Sequence, residues 1–192
     1  MSCAMKTYRV NDIFYSLQGE GHNTGRAAVF VRFSGCNLKC AFCDTDFASF
    51  EPLTGHDIVE RIRHHEARLV VLTGGEPTLQ VDEQLIDALH EAGFEVAMES
   101  NGTLLPPSNL DWLTVSPKTK PRVQRCNELK VLFDEAETPN DYGIQADYYY
   151  LQPCDVGDAN RNARITRRCV KYIQRHPQWR LSLQTHKLIG FK

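Results

Sequence analysis

The chain has 192 residues and a net charge of −2, with 22 Lys and Arg against 24 Asp and Glu. Without a basic surplus, nucleic acid is not an expected partner. No apolar run approaches the roughly 20 residues of a membrane-spanning helix, and the N-terminus lacks the apolar segment of a secretory signal, so we expect no membrane partner. Seven cysteines, an odd number, favour a reducing cytoplasm over a disulfide framework.

Predicted strands and helices alternate along the chain. Apolar runs predict strands over residues 27–34, 68–73, 94–98, 112–115, 129–133, 148–151 and 181–184. Helical spacing predicts helices over residues 55–67, 81–92 and 162–175, with Thr54 as an N-cap and Gly93 as a stop. This alternation predicts a parallel sheet with right-handed crossovers. Because the chain is shorter than the roughly 250 residues of a closed eight-fold barrel, we predict an α/β fold: a partial, open barrel of about six parallel strands in one domain, residues 1–192.

Polar segments follow almost every predicted strand. They are Gly35-Cys36, Thr73–Pro77, Glu99–Gly102, Ser116–Lys118, Gln152–Asp155 and Thr185–Lys187. The carboxyl ends of parallel strands meet at one edge of a sheet, where ligands bind in such folds. The sequence therefore predicts one functional face.

Three cysteines, Cys36, Cys40 and Cys43, lie within eight residues. Iron–sulfur cubanes usually have four cysteine ligands, so three thiolates would leave one iron open to a small molecule. The alternative is a zinc site completed by a histidine or by a distant cysteine, although structural zinc usually brings paired cysteines. The other cysteines (Cys3, Cys126, Cys154 and Cys169) are too scattered to predict a second cluster.

The cysteine spacing, with Phe42 before the last cysteine, and the Gly-Gly-Glu-Pro turn at Gly74–Pro77 resemble the radical S-adenosylmethionine (SAM) superfamily. Glycines at a strand end allow the backbone to approach a ligand closely. The resemblance implies a [4Fe–4S] cluster on Cys36, Cys40 and Cys43, with SAM as the ligand of the fourth iron.

Further segments resemble one family within that superfamily, the 7-carboxy-7-deazaguanine synthases. They are Leu17–Gly21, Cys43–Thr45, Glu99–Gly102, Ser116–Lys118, Glu128–Lys130 and Gln184–Lys187. The resemblance implies a Mg²⁺-dependent lyase of queuosine and deazapurine biosynthesis. It would convert 6-carboxy-5,6,7,8-tetrahydropterin to 7-carboxy-7-deazaguanine with loss of ammonia. A flavodoxin-like reductant and a homodimer are also implied.

The resemblance assigns residues to each ligand. The pterin would be held by Leu17, Gln18, Gly19, Glu20, Arg32, Thr73 and Lys192, the last through a terminal carboxylate. SAM would be held by Phe42, Cys43, Asp44, Gly75, Ser116, Pro117, Lys118, Gln152, Pro153, Cys154 and Asp155. Thr45 would bind Mg²⁺, and Glu99 and His186 are candidates for proton transfer. Arg32 makes independent sense, because a guanidinium is the usual bidentate partner of a carboxylate.

Two other functions fit part of this pattern. A different radical SAM enzyme, such as an activator of a glycyl-radical enzyme, would share the cysteines and the Gly-Gly-Glu-Pro turn but would need neither Leu17–Gly21 nor Thr45. A non-catalytic zinc or iron–sulfur protein would need only the cysteines. The colour of the protein distinguishes a zinc protein from one with an iron–sulfur cluster, since a cluster makes anaerobic protein brown and zinc leaves it colourless.

Overall fold

The computed structural model describes residues 6–40, 43, 49–134 and 138–192. The strands are β1 (Thr7–Leu17), β2 (Ala27–Phe33), β3 (Glu51–Thr54), β4 (Leu69–Gly74), β5 (Glu95–Ser100), β6 (Trp112–Val115), β7 (Arg125–Phe133), β8 (Gln145–Pro153) and β9 (Arg180–Leu181). The α-helices are α1 (Gly55–Ile62), α2 (Glu83–Glu91), α3 (Ala159–Arg175) and α4 (Thr185–Ile189), and a 3-10 turn spans Pro77–Leu79.

The strands form one open sheet in the order β3-β1-β2-β4-β5-β6-β7-β8-β9. From β2 onward neighbouring strands are parallel, whereas β1 pairs antiparallel with both β2 and β3. The α/β class and the open sheet are confirmed. Within the described residues seven strands run parallel, close to the predicted number of about six, and the antiparallel strands β1 and β3 extend one edge.

Local sequence explains where the first two helices begin and end. The Thr54 hydroxyl accepts a hydrogen bond from the Asp57 amide (3.1 Å), and the Asp57 carboxylate accepts one from the Thr54 amide (2.9 Å), which closes a capping box. Helix α1 then ends at Ile62, earlier than the predicted residue 67. Gly93 follows α2 with a φ of 83°, a conformation that favours glycine.

The sheet has an apolar outer face and a more polar inner face. On the outer face, alternate strand residues such as Val31, Leu72 and Met98 pack against the buried sides of α1, α2 and α3, and together they form the main core. Their neighbours point inward, where a small apolar cluster around Val71 and Ala97 fills one end. The inward positions nearer the carboxyl ends carry polar side chains, and those ends form the site described below.

The end of the chain differs from the prediction of a strand over residues 181–184. Strand β9 has only two residues, and α4 begins at Thr185. The Thr185 amide and hydroxyl both donate to the Gly19 carbonyl, at 3.0 and 2.9 Å, and so tie this segment to the loop after β1. His186 therefore lies on a helix and not at a strand end.

Among the described residues, no helix is both long and apolar enough to cross a membrane.

Candidate active site

The inner face brings polar side chains together at the carboxyl ends of neighbouring strands. Arg32 on β2 is paired in register with Thr73 on β4, and Glu99 lies at the end of β5. On β7, Glu128 and Lys130 alternate with the core residues Leu129 and Val131, so both point inward.

The larger of two adjoining cavities, of about 490 Å³, lies over these ends. The predicted SAM and cluster residues that line it are Cys36, Cys40, Cys43, Gly75, Ser116, Lys118, Gln152, Pro153, Cys154 and Asp155. Pro117 instead lines a neighbouring depression, beside Lys118. Phe42, Asp44 and Thr45 lie outside the described residues, as does Cys3.

Three thiols share one wall of the large cavity. The Cys43 amide donates to the Cys40 carbonyl (3.1 Å), and the Leu38 amide donates to the Cys36 sulfur (3.4 Å). Burial, together with the negative charges of Glu76 and the other two thiols, raises the pKa of Cys36. Within the described ranges, no three His, Cys, Asp or Glu side chains are gathered closely enough to hold a metal ion. The donors nevertheless fit an iron–sulfur cluster chemically, because thiolates are its usual ligands.

Two adjacent glycines at the end of β4, Gly74 and Gly75, support that wall by backbone contact. A Cβ on Gly75 would lie 1.9 Å from the Gly35 carbonyl oxygen, so no side chain fits there. Gly74 has a φ of 118°, and the Gly75 amide donates to the Phe33 carbonyl (3.0 Å). The turn after β4 thus rests directly on the chain that leads into the cysteine loop.

A buried carboxylate holds the next two strand ends. Glu76 is fully buried and accepts hydrogen bonds from the Ser100 hydroxyl (2.8 Å), the Asn101 amide (2.7 Å) and the Thr78 hydroxyl (2.5 Å). The Asn101 side chain in turn donates to Asn37 (2.9 Å), beside the cysteines. These bonds fix the ends of β4 and β5 relative to the cysteine loop.

The smaller cavity, of about 220 Å³, lies beside β1 and β2. All of the predicted pterin residues line it, together with both candidates for proton transfer: Leu17, Gln18, Gly19, Glu20, Arg32, Thr73, Lys192, Glu99 and His186. Phe14 and Phe30, which the sequence analysis missed, add a stacked pair of rings with centroids 4.9 Å apart. The Arg32 guanidinium lies 5.6 Å from the Phe14 ring centroid, a cation–π contact that orients it.

The C-terminal segment closes this cavity. A Cβ on Gly19 would lie 2.4 Å from the His186 Nδ1 atom, so the imidazole packs directly on this glycine. The Lys192 ammonium donates to Asp12 (2.5 Å), and its backbone oxygen accepts a hydrogen bond from the Ser16 hydroxyl. The last residue is thus held against β1 at the edge of the small cavity.

Two carboxylates stand where the cavities meet, since Glu20 and Glu99 line both. The Lys130 ammonium donates to Glu20 Oε2 (2.6 Å) and Glu99 Oε2 (2.9 Å). Gln184 donates to the other Glu20 oxygen (3.0 Å) and Gln18 to the other Glu99 oxygen (3.2 Å). Although burial alone would raise the pKa of Glu20, the charge and hydrogen bonds of Lys130 lower it to about 2.

Lys130 carried no predicted role, although the segment containing it was noted. A lysine inside the apolar run Leu-Lys-Val-Leu-Phe, two residues after a glutamate on the same side of the strand, is the signal that could have found it. The Lys130 side chain is only 4% exposed, so it requires charged partners. Glu99 offers one, and Glu20 reaches it from 110 residues away in the sequence.

These features define the class of protein. Residues 30–119 match the Radical SAM superfamily, a range that contains the three cysteines and the Gly-Gly-Glu-Pro turn. The crystal structure of QueE from Escherichia coli is similar, with a TM-score of 0.75 and 29% identity over 92% of this chain and 93% of that one.

Full-length relatives give the family. A 7-carboxy-7-deazaguanine synthase from Bacteroides thetaiotaomicron is 47% identical over 96% of this chain and 98% of the relative. One from Bradyrhizobium diazoefficiens is 42% identical over 97% and 100%. The chain belongs to the 7-carboxy-7-deazaguanine synthase family, as the sequence motifs predicted.

Proposed function

We propose that this chain is a lyase that converts 6-carboxy-5,6,7,8-tetrahydropterin to 7-carboxy-7-deazaguanine with loss of ammonia. The observation that carries the proposal is the pair of adjoining cavities with shared walls at Glu20, Thr73, Glu99 and Gln184. One cavity carries the three thiols and the other a guanidinium with two carboxylates. Relatives named 7-carboxy-7-deazaguanine synthase, which align over 98% and 100% of their own length, support the same activity.

The large cavity would hold the cofactors. Cys36, Cys40 and Cys43 would bind a [4Fe–4S] cluster, and Gly75, Ser116–Lys118 and Gln152–Asp155 would contact SAM. A reduced cluster with SAM supplies radical chemistry when bound, and the protein supplies position and exclusion of water. Lys118 already donates to the Ser116 carbonyl (2.9 Å), which holds its ammonium at the cavity wall.

The small cavity would bind the pterin. Arg32 would pair with the substrate carboxylate, because the contact with Phe14 fixes its guanidinium at the wall. The ionised Glu20 would accept hydrogen bonds from the amino-pyrimidinone edge, and the Gln18 amide can both donate to that edge and accept from it. Glu99 and His186 both reach this cavity, and we assign proton transfer to them.

The remaining features belong to the same proposal. Thr45 would place its hydroxyl on Mg²⁺, which needs substrate oxygens and waters to complete its octahedron. A flavodoxin-like protein would reduce the cluster, the chain would form a homodimer, and residues 1–192 would fold as one radical SAM domain. The thiolate ligands suit a reducing cytoplasm.

The test is an anaerobic turnover assay with reconstituted protein, SAM, Mg²⁺, dithionite and the tetrahydropterin, with chromatographic detection of 7-carboxy-7-deazaguanine. We expect many turnovers per SAM. Cys40→Ser should lose the brown colour and all turnover, whereas the matched variant Cys169→Ala, which changes a buried cysteine in α3, should keep both. Omission of Mg²⁺ tests the metal separately.

Slow formation of 5′-deoxyadenosine without the deazaguanine would contradict the substrate and leave a radical SAM enzyme of another type. In that case Thr45→Ala would not change the rate. Colourless protein that retains zinc would contradict radical chemistry altogether.

A further inference from the structure

Lys130 bonds to the two carboxylates, Glu20 and Glu99, that line both cavities. Its ammonium is buried at the inner face of β7 and contacts one carboxylate from the loop after β1 and one from β5. The same ammonium forms ion pairs with both carboxylates, at 2.6 Å to Glu20 and 2.9 Å to Glu99. One lysine therefore bridges the two carboxylates, and Gln184 and Gln18 bind their other oxygens.

We propose that Lys130 is a positioning residue, which holds the carboxylates of Glu20 and Glu99 in place at the junction of the substrate and cofactor cavities. Its positive charge also keeps the partly buried Glu20 ionised. The proposal rests on the proposed function, since it is the pterin that these carboxylates would contact. Lys130 lines the large cavity and is not among the residues that line the small cavity, where the pterin would bind. It would therefore act on the substrate through the two carboxylates.

The surroundings of Glu20 make this role necessary. The Glu20 side chain is 18% exposed, and a carboxylate removed from water ionises poorly unless a positive charge is near. The charged and titratable groups around it are Lys130 and Glu128 from β7, Glu99 from β5, Lys118 after β6 and His186 from α4. Of these five groups, Lys130 is the one that hydrogen-bonds to Glu20.

Glu128 adds to the need for a fixed cation. It is buried beneath Lys130, and its carboxylate accepts a hydrogen bond from the His22 amide (2.8 Å). A Cβ on Gly21 would lie 1.9 Å from Glu128 Oε1, so the loop after β1 packs against this carboxyl group. The same loop carries Glu20, which accepts a hydrogen bond from Lys130. Two residues of β7, Glu128 and Lys130, therefore hold this loop in place.

The first measurement is a pH titration of glutamate carboxyl ¹³C resonances in the full-length chain, with Glu20 assigned by its loss in Glu20→Gln. In the parent protein Glu20 should stay ionised across about pH 5 to pH 8. In Lys130→Met it should titrate within that range, because burial is then opposed only by the smaller effects of Gln184 and His186. Lys130→Arg keeps the charge and should keep Glu20 ionised.

The second measurement is turnover of the pterin. Lys130→Met should lower kcat/KM by about 100-fold, because a misplaced binding group of this kind costs on that order. Lys130→Arg should recover part of the loss, because the guanidinium keeps the charge but has another shape. Arg125→Met is the matched control on β7: it breaks an exposed ion pair with Asp147 and should change neither measurement.

If Lys130→Met does not fold, the double variant Lys130→Met, Glu99→Gln removes one carboxylate with the cation and leaves Glu20 to be titrated. A Glu20 that stays ionised down to about pH 5 without Lys130 overturns the proposal. Normal turnover by Lys130→Met also overturns it, while the proposed function stands. Absence of turnover in the parent protein contradicts the function instead, and the carboxyl titration still decides the role of Lys130.

Discussion

The two cavities are built from different parts of the chain and by different means. The large one is shaped by backbone turns and thiols from residues within 30–119, the range that matches the superfamily, by β7, by the end of β8 with the segment after it, and by Gln184 and Lys187. The small one takes much of its wall from outside that range, from residues 14–20 and 184–192, through aromatic, charged and amide side chains. If the proposed function holds, we expect radical chemistry to depend mainly on the shared core and substrate choice mainly on the outer segments.

Two glycine substitutions should separate the cavities most strongly. Gly75→Ala would drive a methyl group into the Gly35 carbonyl and should weaken SAM binding by about 100-fold, with pterin binding nearly unchanged. Gly19→Ala would displace His186 and should do the reverse. Calorimetric titration of each ligand measures both effects.

Gly55→Ala is the matched control, because its new Cβ would make ordinary contacts of 3.6 Å and beyond. It should change neither affinity. If Gly75→Ala and Gly19→Ala weaken the same ligand, the two cavities do not have separate roles.

Arg32→Lys should sharpen the comparison within the small cavity. A lysine keeps the charge but loses the fork that binds a carboxylate with two hydrogen bonds, so the pterin KM should rise roughly 10- to 100-fold. SAM affinity should not move. Arg61→Lys, which alters an exposed fork to Glu51, serves as the control for steady-state kinetics.

A substrate analogue without the carboxylate gives the complementary result. It should bind the parent protein and Arg32→Lys equally. A larger penalty for the analogue in Arg32→Lys would mean that Arg32 contacts another part of the pterin.

Glu128 gives the smallest effect on activity and a clear one on stability. Burial, with Glu99 and Glu20 nearby and Lys130 opposing, raises its pKa from 4.5 to about 7. The folded state therefore binds this proton more tightly than the unfolded chain, and stability should fall as pH rises from about 4.5 to about 7. The loss is on the order of 3 kcal/mol.

Glu128→Gln should remove this dependence of stability on pH, because an amide does not titrate. The fold should be retained, since the amide oxygen can still accept the hydrogen bond from the His22 amide. Denaturant unfolding at about pH 5, 6, 7 and 8 measures it. Glu95→Gln, which changes a carboxylate 40% exposed and paired with Arg26, should leave the slope in place. Parallel profiles for Glu128→Gln and the parent protein would show that Glu128 ionises normally.

Sequence patterns predicted the parallel core well because its strands are continuous apolar runs bounded by glycine and polar turns. They missed β1, whose register shifts between Val10 and Asp12, so that its polar residues break the alternation. They also missed β3, a four-residue edge strand that contains Pro52. Short or irregular strands gain their stability from pairing, which a local pattern does not contain.

The site divides in the same way. Motif spacing selected the cysteines and the family resemblance selected Arg32. Of the predicted residues that the structure describes, all but Pro117 line at least one of the two cavities. The pairing of Lys130 with Glu20 was not predictable, because it depends on how a loop folds over a strand 110 residues later. The α4 segment was misjudged because Thr185 and His186 are held by contacts with Gly19, far away in the sequence.

The bonds from Gln184 to Glu20 and from Thr185 to Gly19 join residues 164 and 166 positions apart. During synthesis, therefore, the strands of the shared core can pair while the small cavity is still open. That cavity closes only after residue 185 has left the ribosome, and loop closure over such a separation is slow. A newly made chain thus completes the cysteine wall of the large cavity before the segment after β9 completes both cavities.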